Sequence, residues 1–185
     1  MKFRFVICAL ALAPLAVSIA AAAPASPYAG QDTRDIKSLA PQDVADYLSG
    51  KGMGLAKAAE LNGYAGPAHV LEFGTQLALS PEQRARTEAL FQSMQSKASS
   101  LGRALVDEER KLDQLFAAKA VTPQLLASSL SVIGSLQAQV RGAHLEAHMA
   151  QVEILTPEQN AHYAHLRGYG SSSAPAGHGG MQHKH

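Results

Sequence analysis

Between Ser80 and Lys119 the chain has no proline after Pro81 and a single glycine, Gly102. Within that stretch Met94, Ala98, Leu101, Leu105, Leu112 and Leu115 recur at alternating steps of four and three, and Glu108 fills the one missing place. Apolar residues at that spacing return to one side of an α-helix. They predict a helix of about 38 residues, roughly 57 Å long, carrying a heptad seam. A seam of that length needs a partner helix, because short elements cannot cover it. Thr122 and Pro123 open one, predicted to run to about Glu153, with Leu126, Leu130, Ile133, Leu136, Val140 and Ala147 on its apolar face. The few residues between the two favour an antiparallel hairpin.

Shorter helical pieces flank the pair. PQDVADYLSG begins at Pro41, GLAKAAELNG ends at Asn62 and Gly63, PAHVLEFGTQLAL begins at Pro67, and a last piece runs from LTPEQ to about Arg167. Ala, Leu, Gln and Ser are plentiful, aromatic residues make up 5% and Trp is absent, which suits helices better than sheets. The expected fold is all-α, a long antiparallel helical hairpin with short N- and C-terminal helices.

The N-terminus reads as a signal peptide over residues 1–25. Lys2 and Arg4 precede an apolar run from Phe5 to about Ile19, followed by Ala23-Pro24-Ala25 as a small-residue cleavage site. The run is shorter than the roughly 20 residues a spanning helix needs, and Pro14 interrupts it. Export to the periplasm is therefore expected, with no membrane insertion after cleavage. Cys8, the only cysteine, lies inside the run, so the mature chain holds no thiol or disulfide. Of 16 Lys and Arg residues two, Lys2 and Arg4, leave with it, so 14 basic residues face 15 acidic ones and no basic field for nucleic acid exists. Residues 26–37 read as a flexible leader, 38–169 as the helical domain, and 170–185 as a His- and Gly-rich tail with nothing to build a core.

LSPEQ, from Leu79 to Gln83, has a near twin in LTPEQ, from Leu155 to Gln159. Ser80 and Thr156 suit an N-cap, proline suits the first helical position, and Gln at N3 completes a capping box. The preceding leucine can staple onto the first turns. Two such phrases bracketing a long helical hairpin in an exported chain resemble the LTxxQ proteins of the bacterial periplasm, the Spy/CpxP group, and the related CnrX-type heavy-metal resistance and sensor proteins. The stretch GMGLAKAAELNGYAGPAHVLEF, residues 52–73, also resembles the N-terminal part of sequences in that wider group. The resemblance implies an all-α subunit that pairs into a dimeric curved cradle. It implies one of three roles: an ATP-independent chaperone for unfolded periplasmic proteins, an inhibitor of an envelope-stress signalling protein, or a metal sensor or resistance accessory. It makes Leu79, Gln83, Leu155 and Gln159 helix-junction residues.

Histidines are the only residues offering site chemistry. His144 and His148 are spaced i, i+4 on the second long helix, and His162 and His165 i, i+3 on the last. If LTP reverses the chain, the two pairs meet as a four-imidazole site for Zn, Ni or Cu; if it only bends the chain, they are boundary residues facing water. His178, Met181, His183 and His185 in the tail mix imidazole and thioether donors for weak metal buffering. His69, just after Pro67, is read as structural. HLEAH is not the metalloprotease H-E-x-x-H, because Glu146 does not follow His144 directly and points to another face, and GKGMG, residues 50–54, lacks the spacing of a phosphate loop.

No catalytic constellation appears, so a binding protein is expected and no cofactor is required beyond a possible metal ion. The leading expectation is a chaperone-like stress protein acting as a homodimer. Phe91, Met94, Leu101, Leu105 and Phe116 are candidates for its client face, with hairpin core or dimer seam as the plainer reading of each. The alternative is a heavy-metal sensor or resistance accessory.

Overall fold

The computed structural model describes residues 26–169. The expected signal peptide and tail lie outside them. Six helices follow in order: α1 (Pro41–Ser49), α2 (Lys57–Glu60), α3 (Pro67–Glu72), α4 (Pro81–Ala117), α5 (Pro123–Val152) and α6 (Pro157–Leu166). Every helix but α2 begins on proline, where the missing N–H costs nothing. Among the described residues there is no strand, and no helix is long and apolar enough to cross a membrane.

Helices α4 and α5 form the antiparallel hairpin. As α4 advances through Gln83, Thr87 and Lys97, its hydrogen-bonded partners step back along the other arm, from the Ile154 carbonyl to Gln151 and Glu146. Ala98 and Leu105 of the seam are buried, as are Ile133, Val140 and Ala147 opposite. Two features depart from the heptad expectation. Leu130, placed on the apolar face, is 52% exposed, in the stretch between Val106 and Ile133 where no residue is fully buried. Gly102 and Val106, off the seam, are buried because α1 crosses α4 at Gly102, giving α4 a second covered side.

Two of the N-terminal pieces are shorter than expected, α2 spanning four residues and α3 six, while α1 runs from Pro41 to its Gly50 cap as expected. Residues 73–79 leave the helix as turns, with the Leu79 N–H returning to the Gly74 carbonyl at 3.0 Å. Just before α1 the chain docks on α4. Ile36 is 2% exposed, the Lys37 N–H and ammonium donate to Asp113 at 3.0 and 3.1 Å, and the Ser38 hydroxyl donates to Glu109. The Lys37 backbone bond, opposed by burial and helped by the ammonium, holds the Asp113 carboxyl below its ordinary range.

The base of the hairpin is closed by the two repeated phrases acting together. Ser80 Oγ accepts from the Gln83 N–H while Gln83 Oε1 accepts from the Ser80 N–H, and Thr156 and Gln159 repeat the exchange. The glutamines then pair: Gln83 Nε2 donates to Gln159 Oε1 at 2.7 Å and Gln159 Nε2 returns to Gln83 Oε1 at 3.1 Å. Each amide also reaches a carbonyl of the other junction, that of Ile154 or Leu77. Leu155 joins Ala65, Val70, Leu77 and Tyr163 in a small core against which Leu79 packs. Helix α6 continues into that core and does not run back along α5.

Gln83→Ala, which removes a cap and the clasp, is expected to cost about 2–3 kcal/mol in urea denaturation. Gln83→Glu keeps the cap acceptor but loses the donor, so it should recover only part of that.

Candidate metal cleft

The turn after α1, helix α2, His69 of α3 and the last turns of α5 border a cleft of about 430 Å3, lined by Met53, Glu60, His69 and His148 together with Arg167 and Tyr169. Glu60 is its hub. Its Oε1 accepts from the Tyr163 hydroxyl at 2.7 Å, from Arg167 Nε at 2.9 Å and from the Tyr169 hydroxyl at 3.2 Å. Burial, then the bond to Glu60, push the Tyr163 hydroxyl above its ordinary range. The other carboxylate oxygen, Glu60 Oε2, is buried with no hydrogen-bond partner.

His148 faces that oxygen, with Nδ1 3.7 Å away. The same Nδ1 lies 2.8 Å from the Tyr64 carbonyl, which can only accept, so Nδ1 carries the proton and Nε2 of the neutral ring carries a lone pair. This is the arrangement that prepares an imidazole as a metal ligand. His69 is held likewise, Nδ1 to Glu72 at 3.1 Å. Gly66 lets the imidazole pack close to the backbone: a Cβ there would fall 2.9 Å from His148 Nε2 and 3.5 Å from Glu60 Oε2. An unpartnered buried carboxylate oxygen and a neighbouring imidazole nitrogen are donor types that suit a transition-metal cation. The set is partial, since no three His, Cys, Asp or Glu groups among the described residues are close enough to hold an ion.

The four-imidazole site is not assembled. LTP bends the chain instead of reversing it, so His162 and His165 lie exposed on α6 while His148 turns to α2 and the 64–66 loop. His144 is 3% exposed, with Nε2 unpartnered. Burial, then the neighbouring His148, lower its pKa, and the Lys51 backbone opposes them. A histidine kept neutral in the fold takes up its proton near pH 6.5 once unfolded. Its contribution to stability is therefore complete above that pH and is lost as pH falls toward the depressed folded value. Thermal melts from pH 7.5 downward should show this loss, and His144→Leu should flatten it.

Of the client-face candidates, Leu105 is 1% exposed and belongs to the core; Phe91, Met94 and Leu101 are half-buried, and Phe116 is 53% exposed. His178, Met181, His183 and His185 lie outside the described residues. The i, i+4 histidine spacing pointed to His148. Glu60 carried no signal, because its importance comes from Tyr163 and Arg167, about a hundred positions away.

A family model described as heavy-metal resistance matches residues 52–162. The chain belongs to that family. It is related to the Spy/CpxP and CnrX-type helical proteins, as the paired LTxxQ-like phrases imply. No curated protein and no solved structure matches the chain. The heavy-metal resistance match takes in Met53, Glu60, Gly66, His69 and His148 and stops before Arg167 and Tyr169.

Proposed function

We propose that this heavy-metal resistance protein is an exported, periplasmic binding protein rather than an enzyme, taking a Zn, Ni or Cu ion in the cleft between α2 and α5. The observation that carries the reading is the pair Glu60 Oε2 and His148 Nε2, both without a protein hydrogen-bond partner, on residues that line the same cleft. Glu60 would supply charge and His148 a fixed imidazole. Because α2 and α5 each contribute a donor, the ion would tie the N-terminal pieces to the hairpin.

Calorimetric titration of the full chain with Zn2+, Ni2+ and Cu2+ tests this. Binding is expected for at least one ion, with a rise in melting temperature that grows with its concentration. His148→Gln, which retains a donor for the Tyr64 carbonyl, should weaken binding about tenfold or more. Gly66→Ala, whose methyl would displace the imidazole while leaving both donors, should do the same. Unchanged affinity in both variants would sink the proposal.

A chaperone-like role is the second reading, favoured by one observation. Leu125, Leu130 and Val132 join Phe116 as exposed apolar residues toward the far end of the hairpin. Two such ends in a homodimeric cradle would offer shallow apolar contact to unfolded clients or to an envelope-stress signalling partner. Suppression of aggregation of a denatured client in the presence of a chelator is the expected result; no suppression at several-fold excess removes this reading.

A further inference from the structure

We propose that the cleft takes a soft monovalent ion, Cu(I) or its analogue Ag(I), with the Met53 thioether as a ligand beside His148 and Glu60. This rests on the cleft reading above and chooses among the ions it leaves open. Two observations carry the choice, the number of donors and the charge around them. Among the described residues no three His, Cys, Asp or Glu groups come together, so Zn2+ or Ni2+, with about four or more ligands to find, would fill most of its shell with water. Cu(I) and Ag(I) are satisfied by roughly two or three ligands and prefer sulfur and imidazole to oxygen. The charge points the same way. Among the described residues Glu60 is the one carboxylate lining the cleft, and two cations, Lys57 and Arg167, line it too, with Arg167 Nε already 2.9 Å from Glu60 Oε1. At such range a divalent ion is repelled about twice as strongly as a monovalent one.

Met53 supplies the sulfur. It lines the cleft with His148 and Glu60, on the loop that runs into the helix carrying Glu60. It is 37% exposed and takes no part in the core around Tyr163, so packing does not account for it. Its backbone is left-handed, at φ +46°, a conformation that suits glycine and strains a residue with a Cβ. Glycines stand on either side, yet the position between them bears a long thioether. Strain of this kind persists where a side chain is needed in place. The Leu55 N–H donates to the Gly52 carbonyl at 2.7 Å and the Lys57 N–H to the Gly54 carbonyl at 3.1 Å, so the turn is fixed while the flexible side chain can adjust to an ion. A thioether is also neutral, and adds a ligand without adding charge.

The test is titration of the full chain with Ag+, which shares the charge and softness of Cu(I) without its redox chemistry, followed by NMR of the methionine methyl groups. Every protein carries Cys8→Ser so that no thiol competes. The Met53 signal, identified as the one missing from Met53→Leu, is expected to shift with Ag+ in the parent and to stay in place in His148→Gln. Met53→Leu should bind Ag+ about tenfold or more weakly, with Zn2+ affinity and the metal-free melt unchanged. Met53→Gly, which relieves the backbone strain, should bind Ag+ as weakly, so that the loss belongs to the sulfur. If the Met53 signal never moves while His148→Gln still weakens metal binding, the inference falls and the cleft reading stands. Equal losses of Ag+ and Zn2+ affinity in Met53→Leu also overturn the preference for a monovalent ion. No effect of Met53→Leu, His148→Gln or Gly66→Ala on any ion removes both readings. Gly66→Ala replaces His148→Gln if that variant fails to give a cooperative metal-free melt.

Discussion

Gly102→Ala is expected to destabilise the protein by about 1–3 kcal/mol, and Gly102→Val by more, measured as a shift in urea midpoint. On helix propensity alone alanine should gain about 1 kcal/mol. Against that, a Cβ at Gly102 would stand 2.3 Å from the Tyr47 carbonyl oxygen and 2.8 Å from its carbon. Those atoms are backbone, so no side chain can rotate out of the way, and α1 itself has to move off α4. Gly134→Ala is the control. It is also a helical glycine, but a Cβ there meets nothing within 4 Å, so the propensity gain should appear as added stability. Opposite signs at the two positions would establish that α1 crosses α4 as described.

Glu60→Ala is expected to cost about 3 kcal/mol and to abolish metal binding together. One carboxylate oxygen accepts from Tyr163, Arg167 and Tyr169, and its removal takes that acceptor from the buried Tyr163 and the half-buried Arg167 and Tyr169. Glu60→Gln separates the two effects. It keeps the volume and a carbonyl for the three donors, so it should retain more of the stability. It gives up the charge that would hold the ion, so the loss in metal affinity should persist. Equal stability of Glu60→Ala and the parent would mean that the end of α6 is held by something other than this carboxylate.

Much of the architecture was legible from local chemistry. Helices α4, α5 and α6 show because Pro81, Pro123 and Pro157 each follow a hydroxyl residue whose side chain caps the helix. The heptad identified Ala98 and Leu105 correctly because they face α5, a neighbour with its own periodic stripe. It missed Gly102 and Val106, since α1 is a short helix whose docking position no periodicity records. The exposure of Leu130 has the same origin: an apolar position is buried only where a neighbour covers it. In the site, His148 stood out by its i, i+4 spacing from His144, yet the two have different fates, one opening to the cleft and the other sealed beside it. The clasp of Gln83 with Gln159 could not be read from either phrase alone, because each is already complete as a cap.

The docking of every short element on one half of the hairpin divides the molecule mechanically. Toward the base α4 and α5 are braced by α1, α2, α3 and the glutamine clasp; beyond Val106 and Ile133 the two arms have each other and the docked 35–38 segment. Amide protons should therefore exchange along a gradient, fastest around Lys119 and slowest around Thr87 and Gln151. A force or a partner pulling on the far end would splay the arms there and leave the cleft intact, so the two ends can respond to different stimuli.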